Sequence, residues 1–159
     1  MIADREKLLV GVIGAGSASR TGLESAFRVG QLLAERGAVL VCGGLGGVME
    51  AASRGCAEAG GEVIGILPGD SSLAANPYVS LPIVTNMGHA RNVIIAHTAR
   101  VLIAIEGGYG TISEIAIALK LGKIVIQLHA GTEIPGTVLV QTADAAVVQA
   151  LSGLEEGCR

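Results

Sequence analysis

Seven apolar runs of strand length recur along the chain, most of them separated by segments of helical length. The runs are LLVGVIG (8–14), AVLVCGG (38–44), EVIGILP (62–68), PIVTNM (82–87), RVLIAIEGG (100–108), KIVIQL (123–128) and TVLVQ (137–141). An unbroken apolar run reads as a strand buried on both faces, because a strand with one wet face would alternate. Helical spacing predicts helices over 22–36, 46–59, 89–98, 111–121 and 143–151. This alternation predicts an α/β fold, a Rossmann-like open parallel sheet of about six or seven strands with helices on both faces. No repeat, low-complexity tract or charged linker divides the 159 residues, so a single Rossmann-like domain is expected over 1–159.

Two segments depart from the simple pattern. Helix 111–121, TISEIAIALKL, is apolar on nearly every side, where a surface helix would show a polar face. Burial against a second copy of the chain, with Ile115, Ile117 or Leu119 at the contact, would explain it, and so would a helix sandwiched within the monomer; a homo-oligomer, dimer or tetramer, is the expectation carried forward. The loop DSSLAANPY (70–78) is the one long irregular connection, read as a plain surface loop or as a lid over a ligand.

Composition narrows the function classes. Half the residues are apolar, yet there is no tryptophan, one phenylalanine and two tyrosines, so the core is built from Val, Ile, Leu and Ala. A formal charge of -3 leaves no basic footprint for nucleic acid, and stacking aromatics are scarce. No run approaches the ~20 apolar residues of a membrane span, and the opening MIADREKLLV has too brief an apolar stretch for a signal peptide, so a cytoplasmic protein without membrane contact is expected. Cys42, Cys56 and Cys158 are odd in number and lack metal-type spacing, which points to neither a disulfide framework nor a metal site. The first two read as small buried hydrophobes.

The candidate chemistry lies in three glycine clusters, each placed after a predicted strand and before a helix: Gly14-Ala15-Gly16-Ser17, Gly43-Gly44-Leu45-Gly46-Gly47 and Gly107-Gly108-Tyr109-Gly110-Thr111. In an open parallel sheet such loops line the carboxyl edge, where ligands bind. Glycine lets a ligand approach the backbone N–H groups, and the helix start behind it favours phosphate. From these loops, Gly14, Gly16, Ser17, Gly43, Gly44, Gly46, Gly107, Gly108, Tyr109, Gly110 and Thr111 are the expected ligand-binding residues. The first loop reads GAGSAS and lacks the third glycine of a dinucleotide fingerprint, and the second strand ends in Cys42-Gly43-Gly44 where an NAD site places an acidic residue. No GK[ST] step supplies a Walker lysine, so neither an NAD nor an ATP-magnesium site is evident.

Two stretches, GGLGGVMEAASRGCAEAGG (43–61) and GHARNVIIAHTARVLIAIEGGYGTISE (88–114), resemble the GGG-x-x-G-x-M and PGG-x-GT-x-x-E signatures of the LONELY GUY phosphoribohydrolases, also called lysine decarboxylase-like proteins. With ILPG (66–69), PIVT (82–85) and EIAIALKLGKIVI (114–126), the chain looks still more like the molybdenum cofactor carrier proteins, over residues 8–128. The carrier resemblance implies molybdenum cofactor, a molybdopterin, as a bound small phosphorylated ligand. The hydrolase resemblance implies Arg91 and Glu114 as the pair that hydrolyses the N-glycosidic bond of nucleoside 5′-monophosphates, with Arg91 also a ligand-binding residue. A carboxylate can stabilise an oxocarbenium-like sugar while a guanidinium grips phosphate. Glu106 stands where the hydrolases have proline, and Asn92 where they commonly have lysine.

Glu114 also has a structural reading. Thr111-Ile112-Ser113-Glu114 has the form of a capping box, as does Thr21-Gly22-Leu23-Glu24 at the first helix. His89 and His97 have no acidic neighbour in sequence and read as non-catalytic, with His89 lining the site.

Overall fold

The computed structural model describes residues 7–156, so Cys158 lies outside the described residues. Seven strands form one sheet: β1 (Leu9–Gly14), β2 (Val39–Cys42), β3 (Val63–Leu67), β4 (Leu81–Val84), β5 (Val101–Ile105), β6 (Ile124–Leu128) and β7 (Val138–Val140). Their order is β4-β3-β2-β1-β5-β6-β7, and every pairing is parallel. Five helices accompany them: α1 (Arg20–Glu35), α2 (Val48–Glu58), α3 (Arg91–Thr98), α4 (Tyr109–Lys120) and α5 (Ala143–Glu156). The expected Rossmann-like α/β architecture is the one observed.

Side chains of the central strands alternate between two cores. Val10, Val12, Val101, Ile103 and Ile105 pack with α1, α2 and α5 on one face. Ile13, Leu102 and Ala104 pack with α3 and α4 on the other. β5 is buried at all five positions, which is why its sequence shows no alternation. Complete burial of each such Ile or Leu contributes about 2 kcal/mol.

Small residues set the layer that carries α1 and α2. A Cβ on Gly30 would lie 2.0 Å from the Ala52 carbonyl oxygen, and one on Gly55 would lie 2.0 Å from that of Phe27. The two helices therefore cross in backbone contact. On the opposite face, Lys123 secures the C-terminal end of α3: its Nζ donates to the carbonyls of Ala96 at 2.5 Å and His97 at 2.6 Å, and also to that of Ala99. These are carbonyls that a helix end leaves unpaired.

Several expectations need correction. α1 begins at Arg20 with Ser19 as its cap, the Ser19 hydroxyl accepting from Gly22 N–H at 3.0 Å, so Thr21 lies inside the helix and does not cap it. α4 begins at Tyr109 after Gly108, which has no side chain to cap with. Thr111 is then in the first turn and Glu114 is buried, so the second capping box does not form either. Ile115 is 1% exposed inside the α3–α4 core and is not available to a second copy. Ile117 and Leu119 are partly buried against that same core. Within the chain, α4 packs against the sheet and against α3. Cys42 and Cys56 are buried, as expected of small hydrophobes; burial pushes both thiols up, Cys56 to about 11. Among the described residues, no helix is long and apolar enough to cross a membrane.

Candidate functional site

The chain winds outward from β1 to β4, then returns to place β5 beside β1 on the other side. Between these two strand ends is the point where an open α/β sheet leaves a crevice. A cavity of about 290 Å³ opens there. Gly14 and Gly16 come to it from the first glycine cluster, Gly43 from the second, and Gly108, Gly110 and Thr111 from the third. Arg91, His89 and Glu114 also line it. The other predicted ligand-binding residues, Ser17, Gly44, Gly46, Gly107 and Tyr109, do not line it; Tyr109 is 93% exposed.

The glycines divide by what surrounds them. A Cβ on Gly14 would strike the Ile105 carbonyl oxygen at 2.2 Å, and one on Gly107 would strike Thr111 Oγ1 at the same distance. Gly44 packs against Leu67 and Gly65, and its carbonyl accepts from Asn76 N–H at 2.8 Å. These glycines serve the fold. At Gly16, Gly108 and Gly110, by contrast, a Cβ would meet nothing within 4 Å. These three leave open space on the cavity wall.

Helix starts bring dipoles and N–H groups to the same edge, but two of the three are engaged by the protein itself. Val48 at the head of α2 donates its N–H to the Ala15 carbonyl at 2.9 Å. At α1, Ser19 N–H donates to Glu106 Oε2 at 3.0 Å and the Ser19 hydroxyl donates to Glu106 Oε1. At α4 the helix start, at Gly108, forms part of the cavity wall and has no side-chain cap. The Glu106 carboxylate is held below the usual range by those two Ser19 hydrogen bonds, with a smaller contribution from His129.

Arg91, the first residue of α3, is 9% exposed. Its Nη2 donates to the Gly43 carbonyl at 3.3 Å and its Nη1 to Asn92 Oδ1, while its buried Nε has no hydrogen-bond partner. Leaving such a donor unmet costs about 1–3 kcal/mol. A Cβ on Gly43 would come within 2.5 Å of Nη2, so the guanidinium lies against bare backbone. Burial lowers the Arg91 pKa, yet an arginine stays cationic at physiological pH. Burial pushes the Glu114 carboxyl up to about 7; the Arg91 guanidinium opposes this but, at 4.0 Å, is outweighed.

Asn92, visible in the sequence only as a departure from the hydrolase pattern, lines the cavity and holds Arg91 through Oδ1, while its Nδ2 donates to the Ser113 hydroxyl at 3.4 Å. Met49 also lines the cavity, and the methionine of the G-x-M element was the available signal. His97 is exposed and away from it. The 70–78 loop is pinned by Asn76, whose Nδ2 donates to the Leu45 carbonyl at 3.0 Å, and it contributes nothing to the cavity wall. A second cavity, more open and about 480 Å³, lies against α1 and α2 beside Leu23, Phe27 and Tyr78, and includes none of the predicted ligand-binding residues. Among the described residues, no three His, Cys, Asp or Glu groups converge in a way that would hold a metal ion.

Three known proteins resemble this chain along nearly its whole length, and a fourth over part of it. An uncharacterised protein of Archaeoglobus fulgidus is 50% identical over 143 residues, 90% of this chain and 94% of its own. The molybdenum cofactor binding protein of the phototrophic bacterium Rippkaea orientalis has a TM-score of 0.88 at 35% identity, over 94% of this chain and 98% of that one. The molybdenum cofactor carrier protein of Chlamydomonas reinhardtii has a TM-score of 0.81 at 35% identity, over 92% and 99%. A protein of Oryza sativa subsp. japonica, named as a probable cytokinin riboside 5′-monophosphate phosphoribohydrolase, is 36% identical over 95 residues, covering 57% of this chain and 38% of that protein. The superfamily resemblance drawn from the glycine motifs thus holds, and, with a profile of that family matching residues 7–153, the chain belongs to the SLOG cluster4 family.

Proposed function

We propose that this protein binds a small phosphorylated ligand, nucleotide-like or pterin, at the β1–β5 crevice and holds it without turning it over. The observation that carries this reading is the uncapped start of α4 beside the buried, unpartnered Nε of Arg91. Helix N–H groups and a guanidinium form a donor set suited to phosphate. Open space at Gly16, Gly108 and Gly110 gives a phosphate room to approach backbone. At about 290 Å³, the cavity is at the small end of ligand pockets. It suits the phosphate-bearing end of a larger molecule.

Molybdenum cofactor fits this donor set through its phosphate, which Arg91 and the α4 start would hold. The metal and its dithiolene supply redox chemistry in whatever enzyme receives the cofactor. In this chain, Arg91 neutralises charge, and Glu114 in its protonated form can donate a hydrogen bond to a phosphate or ring oxygen. Mass spectrometry of small molecules retained by the purified protein tests the reading: a molybdopterin or a nucleoside monophosphate supports it, and ligand-free protein that takes up neither refutes it.

A phosphoribohydrolase is the second reading, favoured by one observation. A carboxyl near pKa 7 beside a guanidinium is poised for proton transfer at neutral pH. We further propose that the protein works in the cytoplasm as a homo-oligomer, with a contact that does not involve Ile115.

A further inference from the structure

Glu106 closes the run of β5 in a left-handed backbone conformation, φ +53°, and two glycines follow it. A glycine would adopt that conformation without strain, so the side chain is retained against the backbone's preference. Its carboxylate crosses to the head of α1, where Ser19 donates to it through both backbone N–H and hydroxyl. The same hydroxyl accepts from Gly22 N–H, extending the chain of hydrogen bonds into the first turn. Gly22 has no room for a Cβ, which would come 2.4 Å from Glu106 Oε1.

In dinucleotide-binding sheets, the start of this first helix is where a diphosphate rests. Here the first loop turns along the cavity through Gly14, Ala15 and Gly16, then reaches Ser19, where an anion belonging to the protein is already seated. We infer that Glu106 is a specificity-determining residue: its carboxylate fills the anion position at the head of α1, so the crevice accepts a ligand with one phosphate monoester at α4 and rejects a diphosphate diester spanning both helices. The monoester half of this inference rests on the proposed phosphate site at α4; the seating of Glu106 at α1 does not.

The test uses inorganic phosphate as the probe, followed at backbone amides by NMR. In the wild type, phosphate should shift amides of Gly108–Thr111 and leave those of Ser19–Gly22 unmoved. Glu106→Gly, which suits the left-handed backbone and preserves the fold, should add a second saturable response at Ser19–Gly22. Glu106→Gln keeps a side-chain oxygen for Ser19 N–H but loses the charge, and should bind phosphate at α1 at least several-fold more weakly than the glycine variant. A wild type already responsive at Ser19–Gly22, or a glycine variant that gains nothing there, overturns the role of Glu106. Absence of response at Gly108–Thr111 in every protein overturns the phosphate site at α4 instead. Where AMP binds, NAD should bind at least tenfold more weakly to the wild type, and Glu106→Gly should narrow that gap; an unchanged ratio refutes the specificity role.

Discussion

Nη1 of Arg91 stands 4.0 Å from Oε1 of Glu114, with both side chains buried at the base of the crevice. This is the outer limit of an ion pair, and Arg91 Nη1 is already directed to Asn92 Oδ1. The arginine is held by its neighbours and the glutamate is left partly uncompensated. A molecule entering the crevice would meet a fixed cation and a carboxyl that can be charged or neutral at neutral pH.

That arrangement separates the two functional readings. If the protein is a carrier, the wild type should release no free base above background over hours from a panel of nucleoside 5′-monophosphates, and Glu114→Gln should alter ligand affinity only modestly. Turnover that falls by a factor on the order of 100 or more in Glu114→Gln would establish the hydrolase instead. Turnover indifferent to the substitution would remove Glu114 from catalysis.

The raised Glu114 pKa also makes stability depend on pH. The folded chain keeps this proton to about pH 7, whereas the unfolded chain releases it near the ordinary value of 4.5. The contribution is therefore complete below about pH 4.5 and is lost as pH rises through 7. Its size is on the order of 3 kcal/mol. Urea unfolding from pH 5 to 8 should show wild-type stability falling relative to Glu114→Gln, which lacks the titration; parallel curves would refute it.

Gly108→Val should fold normally and lose its ligand. A Cβ there would meet nothing beyond its chain neighbours within 4 Å, and Gly108 is on the cavity wall, so a larger side chain is expected to take up cavity space. Near-native thermal stability with loss of retained ligand is the expected result. Unchanged affinity would move the site elsewhere.

Gly30→Ala should do the reverse, because the new methyl would meet the Ala52 carbonyl at 2.0 Å and force α1 from α2. Overpacking of this kind costs about 1–3 kcal/mol or more. Chemical denaturation should show that loss, while any ligand bound at the crevice is still recognised by the remaining folded protein.

Ile115→Ala should cost about 2–5 kcal/mol, as expected for a truncated core side chain. Sedimentation should show the same association state as the wild type. Dissociation without loss of stability would return α4 to the subunit contact.

The strands were readable because burial on both faces leaves unbroken apolar runs such as VLIAI in β5. Their ends were less so: Gly43 and Gly44 extend the run of β2 in sequence but leave the ladder, and Gly43 comes to line the crevice. Helix starts misled for a physical reason. Thr-x-x-Glu is a local pattern, whereas the actual cap at Ser19 works jointly with Glu106, 87 residues away. Arg91 and Glu114 were recognisable from motif likeness, but no local feature indicates that Asn92 orients the arginine or that burial outweighs the nearby cation.

Asn76 fixes the 70–78 loop from both its backbone and its side chain, to Gly44 and Leu45. On the proposed reading, a loop tethered off the cavity wall is not itself a gate for a molecule bound there. Exchange then reduces to a single encounter and a single escape, so residence time scales inversely with Kd at a nearly constant association rate. For a carrier, delivery would be timed by the recipient's affinity for the cargo, and stopped-flow release traces should be monoexponential.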